Sequence, residues 1–410
     1  MICPNCPFSK YLAASSSYVK SHLSCTQPTF HLPPAKRQGH ISYDPAFYLT
    51  MDKPPSTIEE ILATAAMDPE FEAAWKDNGS PPGQMPSDIA AFQKTVLSTL
   101  PGVQKMLAAS RPAGVIETEH SISIDDNFSS RTIVCRSSLP IAEPSPVVVL
   151  IHGGGHCLGF PEMELITARE LVLTCNATCI LPSYRLAPGH PFPANVNDIY
   201  AVVAYIADHA VWTDKSILPT NIDLKKGFIL GGLSAGAGIS SNVAHLARDR
   251  NLDPSLTGLF LACGVFINPD RVPDRFRRLH LSLEQNKNAP ILNTSSLKQF
   301  LKAYRGDITS RQGDPFSFDQ HHPDGIAAGH KNLPPVYFQV AGMDPARDDS
   351  LIYERVLREE SQVPTRLNMY SGFPHGFWAM YPSLEATKLR MKDTVRGFRW
   401  LLGDDAESEL

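Results

Sequence analysis

Apolar positions along this chain fall into two patterns. After Pro112, short apolar or alternating runs recur at 115–124, 132–136, 147–151, 178–181, 228–230, 259–263, 336–340 and 366–370. The run 147–151 has no polar position and lies between Pro146 and the glycines that begin at Gly153, as suits a parallel strand buried on both faces. Between the runs lie helical stretches at 162–174, 196–208, 235–248, 348–360 and 384–402. Strands alternating with helical crossovers specify an α/β fold.

Two further regions stand outside the alternation. Ser56-x-x-Glu59 and Thr57-x-x-Glu60 are capping boxes ahead of Ile61 and Leu62, so a helix starts there. A second helix, through Ile89, Phe92, Val96 and Leu97, follows a Pro/Gly break at 80–86. Both belong to an appended helical segment at 51–111, with a second piece inserted at about 270–312 into the α/β domain, 112–410. Residues 1–50 are rich in Ser and Pro without a helical or strand period, and read as a poorly ordered tail; Met51 offers an alternative start.

Composition narrows the function. Hydrophobic residues are 43% and charged ones 19% of 410, the balance of a compact protein with a buried core. With 37 basic and 42 acidic residues, the net charge of −5 gives no footprint for nucleic acid or an anionic membrane. The longest apolar run, 259–267, is far short of the ~20 residues needed to cross a bilayer, and stable membrane association is not expected. Eight cysteines, at 3, 6, 25, 135, 157, 175, 179 and 263, are too sparse for a disulfide scaffold. Reduced thiols and the lack of an apolar leader segment point to the cytoplasm, although Lys10, Lys20, Lys36 and Arg37 against the single acid Asp44 weakly resemble a transit peptide. Cys3, Cys6, His22 and Cys25 are zinc-type donors, but little apolar sequence surrounds them to build a site, and no metal is expected.

The chemistry lies at the ends of the runs. Gly232-Leu233-Ser234-Ala235-Gly236 joins a strand to a helix, the context of a serine held on a sharp, strained turn. The run 147–151 leads into His152-Gly153-Gly154-Gly155, where free backbone N–H groups can converge on an oxyanion. A serine nucleophile needs a base and the base an orienting carboxylate. Asp344 follows the run 336–340, and His375 follows 366–370, both at strand ends where catalytic groups gather in α/β sheets. Competing candidates are weaker. Asp348 and Asp349 suit a solvated first helical turn, and His321, His322 and His330 a surface loop. His152 is expected to hold backbone and His245 to pack in a helix.

These motifs, with Tyr184-Arg185-Leu186-Ala187-Pro188 and His190-Pro191-Phe192-Pro193-Ala194, resemble the hormone-sensitive-lipase-like branch of the α/β-hydrolases, which contains microbial, fungal and plant carboxylesterases. The resemblance covers about 112–402, and 56–110 is similar to that family's N-terminal cap. It implies an α/β-hydrolase fold, with a mostly parallel eight-stranded sheet, helices on both faces and a helical cap. It also implies Ser234 as nucleophile, Asp344 as acid and His375 as base, with an oxyanion hole at the N–H groups of Gly153, Gly154 and Ala235. Leu233 and Ser183 stand where the family has Asp, and Gly189 where it has Glu. Fungal members of secondary-metabolite pathways look similar around the elbow.

The expected activity is hydrolysis of a small hydrophobic carboxylic ester through an acyl-enzyme, with no cofactor. Cys157, Leu158 and Phe160, beside His156, are the expected substrate-binding residues, with Phe71, Trp75 and Phe92 as further walls. Such walls suit acyl chains from acetyl to about hexanoyl. An amidase, formamidase or lactonase would use the same triad, and a homodimer is compatible with the sequence. A non-catalytic binding protein is the rival, since plant hormone receptors resemble the family while lacking the histidine base; His375 favours the enzyme.

Overall fold

The computed structural model describes residues 54–139, 143–208, 218, 221–304 and 329–404. The tail, with Cys3, Cys6, His22 and Cys25, lies outside the described residues, as do His321 and His322. Eight strands form one sheet: β1 (Val115–Asp125), β2 (Phe128–Ser137), β3 (Val147–Ile151), β4 (Thr178–Pro182), β5 (Phe228–Leu233), β6 (Gly258–Ala262), β7 (Val336–Ala341) and β8 (Thr365–Tyr370). Their order is β1-β2-β4-β3-β5-β6-β7-β8. β2 runs antiparallel to both β1 and β4, and every other neighbouring pair is parallel. The mostly parallel sheet expected from the sequence is therefore found.

Four helices precede the sheet where the sequence suggested two: α1 (Ile58–Ala63), α2 (Pro69–Asp77), α3 (Ile89–Ser98) and α4 (Leu100–Ala109). The box before α1 forms, with Thr57 Oγ1 accepting the Glu60 N–H and the Glu60 carboxylate accepting the Thr57 N–H. The other two have a proline in the first turn, Pro69 opening α2 behind the Asp68 cap and Pro101 second in α4; a first-turn proline suits a helix start because its missing N–H is not needed there. Next come α5 (Leu165–Cys175), α6 (Ala194–Ala207) and α7 (Ala235–Asp249), then α8 (Ser282–Gln285) and α9 (Thr294–Tyr304) between β6 and β7. The last three are α10 (Arg347–Arg355), α11 (Phe377–Met380) and α12 (Glu385–Leu401). No described helix is long and apolar enough to cross a membrane.

Strand pleating sorts β3 between two cores. Val147, Val149 and Ile151 join Val203 of α6, Val243 of α7 and Ile352 of α10, while Val148 and Leu150 join Leu171 of α5, Phe398 of α12, and Phe92 and Leu107 of α3 and α4. Each such side chain contributes about 1.5–3 kcal/mol by leaving water. A smaller aromatic cluster ties α2 to the segment after β8: Phe71 packs edge-on against Tyr381 at 5.1 Å, beside Phe373 and Phe377. The Gly372 N–H donates to Thr64 O and the Asp68 N–H to Gly372 O, pinning the α1–α2 loop to the same segment.

The two helical pieces outside the alternation meet. Ser296 at the start of α9 accepts the Met85 N–H at 2.8 Å and donates to Gly83 O at 3.1 Å. Asp348 and Asp349, expected in a solvated turn, are instead buried anchors for the inserted segment. Asp348 accepts the N–H groups of Leu281 and Ser282, and Asp349 those of Phe266 and Ile267 while also meeting His280 at 2.7 Å. The first turn of α10 is covered by residues 266–282, so its acids satisfy backbone donors rather than water. His330 is likewise buried, 3.1 Å from His245, rather than in a surface loop.

Candidate active site

Ser234 joins β5 to α7 with φ 57° and ψ −118°, a strained conformation for a residue with a side chain. The flanking glycines allow it, because a Cβ on Gly232 or Gly236 would lie 2.2 or 2.0 Å from Ile151 O. The turn thus rests directly on the end of β3. The Ser234 N–H donates to Ala262 O on β6 at 2.8 Å, fixing it from the other side.

His375 Nε2 lies 2.9 Å from Ser234 Oγ, and His375 Nδ1 lies 2.6 Å from Asp344 Oδ2. Asp344 Oδ1 is taken by the Ala346 N–H at 2.8 Å, which leaves Oδ2 to the imidazole. A carboxylate only accepts, so Nδ1 carries the hydrogen and Nε2 is free to accept the serine proton. Asn286, from the inserted segment, donates to Gly342 O and Asp344 O and steadies the loop that carries the acid. The thiol of Cys263 also stands in this cluster; burial and the nearby Asp344 charge push its pKa well up, so it stays protonated.

Opposite the serine, Gly154 has φ 118°, and a Cβ there would meet Leu158 O at 2.3 Å. The turn it forms accepts the Cys157 and Leu158 N–H groups at Gly154 O. No hydrogen bond among the described residues uses the N–H of Gly153 or Gly154, and Ala235, first in α7, has no partner for its N–H within the helix. The α7 N-terminus adds a favourable dipole for an anion there. The glycine loop is braced by two neutral histidines. His152 stacks on Tyr184 at 4.3 Å and contacts Gly153 O, while His156 stacks on Tyr304 at 3.8 Å and accepts from Asn195, which accepts in turn from the Tyr304 hydroxyl. Burial pushes their pKa values down to about 4 and about 3.

Ser234, Ala235, His375 and the glycine loop open onto a cavity of about 140 Å³ with mainly apolar walls. Leu158 lines it. Cys157 and Phe160 do not: with His156 at φ 63°, the loop turns them into the core around Val148 and Leu150, where burial pushes the Cys157 thiol up to about 12. Phe71, Trp75 and Phe92 are also absent from the wall, Phe71 being held in the aromatic cluster and Phe92 in the core. The walls that sequence reasoning missed are Pro81, Pro82 and Met85, from the segment read only as a break, and Leu292, Leu297 and Phe300 around α9. The signal available was the helical spacing of Leu297, Phe300 and Leu301 in the insertion.

Comparison with known proteins agrees with this architecture. A family model described as the alpha/beta hydrolase fold matches residues 148–379. An AB hydrolase superfamily protein of Schizosaccharomyces pombe is 32% identical over 266 residues, 64% of this chain and 74% of that protein. A versiconal hemiacetal acetate esterase of Dothistroma septosporum is 28% identical over 261 residues, 63% of this chain and 74% of that protein. Among solved structures, a vibralactone cyclase superposes with a TM-score of 0.72 at 25% identity, covering 84% of this chain and 97% of the other.

Proposed function

The chain belongs to the α/β-hydrolase family, in its hormone-sensitive-lipase-like branch, and from that premise we propose that it cleaves carboxylic esters of small hydrophobic molecules through Ser234, His375 and Asp344. The observation that carries this reading is the relay of 2.9 and 2.6 Å from Ser234 through His375 to Asp344, opening onto an apolar cavity.

Ser234 Oγ bonds to the ester carbonyl carbon while its proton passes to His375 Nε2, and Asp344 stabilises the imidazolium that forms. The carbonyl oxygen, now anionic, takes hydrogen bonds from the N–H groups of Gly153, Gly154 and Ala235. The carbon–alkoxy bond breaks, and the alcohol leaves with the proton from His375. Water then attacks the acyl-serine by the same route, returning its proton through His375 to Ser234 and releasing the acid.

The small apolar cavity supports acyl groups from acetyl to about hexanoyl. The resemblance to an acetate esterase supports the short end of that range and an ester of secondary-metabolite type. A second reading, favoured by the likeness to a lactone-forming cyclase, has a hydroxyl of the substrate itself resolve the acyl-enzyme in place of water. The test is kcat/KM over 4-nitrophenyl esters from acetate to palmitate, dissolved and emulsified, with Ser234→Ala as control. A maximum at short chains is expected, whereas a maximum at palmitate or a jump at the emulsion threshold defeats the proposal. Release of a lactone from a hydroxy-ester would favour the second reading.

A further inference from the structure

Resting on the esterase reading, we propose that the catalytic cavity has a polar branch in which Arg390 and Glu164 receive an oxygen atom at the end of one arm of the ester. A second cavity, of about 70 Å³, shares Met163, Leu233 and Ala379 as walls with the one at Ser234. Its volume is several times the ~10–15 Å³ that one water needs, so it admits a short chain of atoms. Leu233 adjoins the nucleophile in the chain, so the walls that the two cavities share include the residue next to Ser234.

The walls of this second cavity are not wholly apolar. Glu164 closes the 3-10 turn after the glycine loop, and Arg390 projects from α12; they are 5% and 3% exposed. The Arg390 guanidinium donates through Nε to Gln339 Oε1 at 2.8 Å and lies over Trp378 at 4.3 Å. Among the described residues its two terminal amino groups and the Glu164 carboxyl make no hydrogen bond to the protein, and the two side chains, though each feels the other's charge, form no direct ion pair.

Burying ionisable groups with part of their hydrogen-bonding capacity unused is costly, and a ligand oxygen that supplies the missing partners would offset that cost. An oxygen lying between them can accept from the Arg390 amino groups. A carbonyl or carboxylate oxygen can also accept from protonated Glu164, and a hydroxyl can donate to its ionised form. Burial pushes Glu164 up to about 7, so both forms are present at neutral pH. A plain alkyl chain would instead strip water from both groups and offer nothing in return, which is how a built polar subsite rejects the analogue that lacks the polar atom.

The experiment compares kcat/KM within two length-matched pairs. On the acyl side, 4-nitrophenyl 5-oxohexanoate is set against 4-nitrophenyl hexanoate; on the alcohol side, 5-hydroxypentyl acetate is set against hexyl acetate. In one pair the oxygen-bearing ester is expected to be preferred by about 10- to 100-fold, the range for hydrogen bonds to charged groups. That preference should collapse towards unity in Arg390→Met and fall in Glu164→Leu. Each ratio is taken on a single preparation, so the folded fraction cancels even where a variant folds poorly. Ratios near one, or in favour of the alkyl ester, in both pairs mean that the branch holds water only and overturn the proposal. So does a preference that survives both substitutions. Absence of turnover with all four esters would overturn the esterase reading itself, and this inference with it.

Discussion

Gly236→Ala tests the contact on which the nucleophile's position depends. An added Cβ would sit 2.0 Å from Ile151 O, 2.7 Å from Ile151 C and 2.9 Å from His152 O, all main-chain atoms that no side-chain rotation can move. Reaching an ordinary 3.4 Å contact requires the start of α7 and the end of β3 to separate by about 1.4 Å. Those two segments carry the serine and the glycine loop, so the separation acts on the distance between nucleophile and oxyanion donors. Overpacking of this kind costs about 1–3 kcal/mol of stability, and a shift of about 1 Å costs on the order of 10²-fold in rate. Helix propensity alone gives the opposite sign, because Ala is favoured over Gly by roughly 0.5–1 kcal/mol in a helix. Gly102→Ala is the internal control: it lies in α4 with nothing within 4 Å of its added Cβ, and should stabilise by that amount without touching catalysis. The assay is urea unfolding followed by circular dichroism, with kcat/KM on a short-chain ester. A Gly236→Ala enzyme within twofold of the parent rate, or as stable as the Gly102→Ala protein, would refute the reasoning.

Asp344→Asn keeps an oxygen for the Ala346 N–H but can turn an amide towards His375 Nδ1, favouring the wrong tautomer; kcat should fall by about 10⁴-fold, and a loss below tenfold would contradict the relay. Asp349→Ala leaves the Phe266 and Ile267 N–H groups and His280 without their acceptor, so chemical denaturation should show a loss of about 3–5 kcal/mol, and a loss below about 1 would mean the anchor is dispensable. Glu164 has its pKa raised by burial from 4.5 to about 7, so the unfolded chain ionises first as pH rises. Relative to Glu164→Gln, the parent should be level below pH 4.5, lose up to about 1.4 kcal/mol per unit between 4.5 and 7, and stay constant above. A stability difference that does not change with pH would contradict the buried placement.

Residues whose signal is local were legible in the sequence. β3 is found at 147–151 because every position is apolar and Pro146 and the glycines bound it, whereas β2 extends back to Phe128 through the polar residues Ser129, Ser130 and Arg131, beside the edge strand β1. Ser234, Asp344 and His375 were legible because each follows a strand, and the sheet brings strand ends together. Apart from His156 and Leu158 the cavity walls were not, since residues such as Met85 and Phe300 come together only when the segments before β1 and between β6 and β7 pack against each other. Asp348 and Asp349 misled because acids in a first helical turn are usually solvated, and only tertiary packing shows the segment that covers them. That Glu164 and Arg390 line the same cavity has no local signal at all.

The central claim is that Ser234 is the nucleophile, and reaction with a fluorophosphonate followed by peptide mass spectrometry tests it most directly. One adduct per chain is expected, on the peptide containing Ser234, with ester hydrolysis lost in step with labelling and no labelling of Ser234→Ala. An adduct on another residue, or full activity in the fully labelled protein, would contradict it.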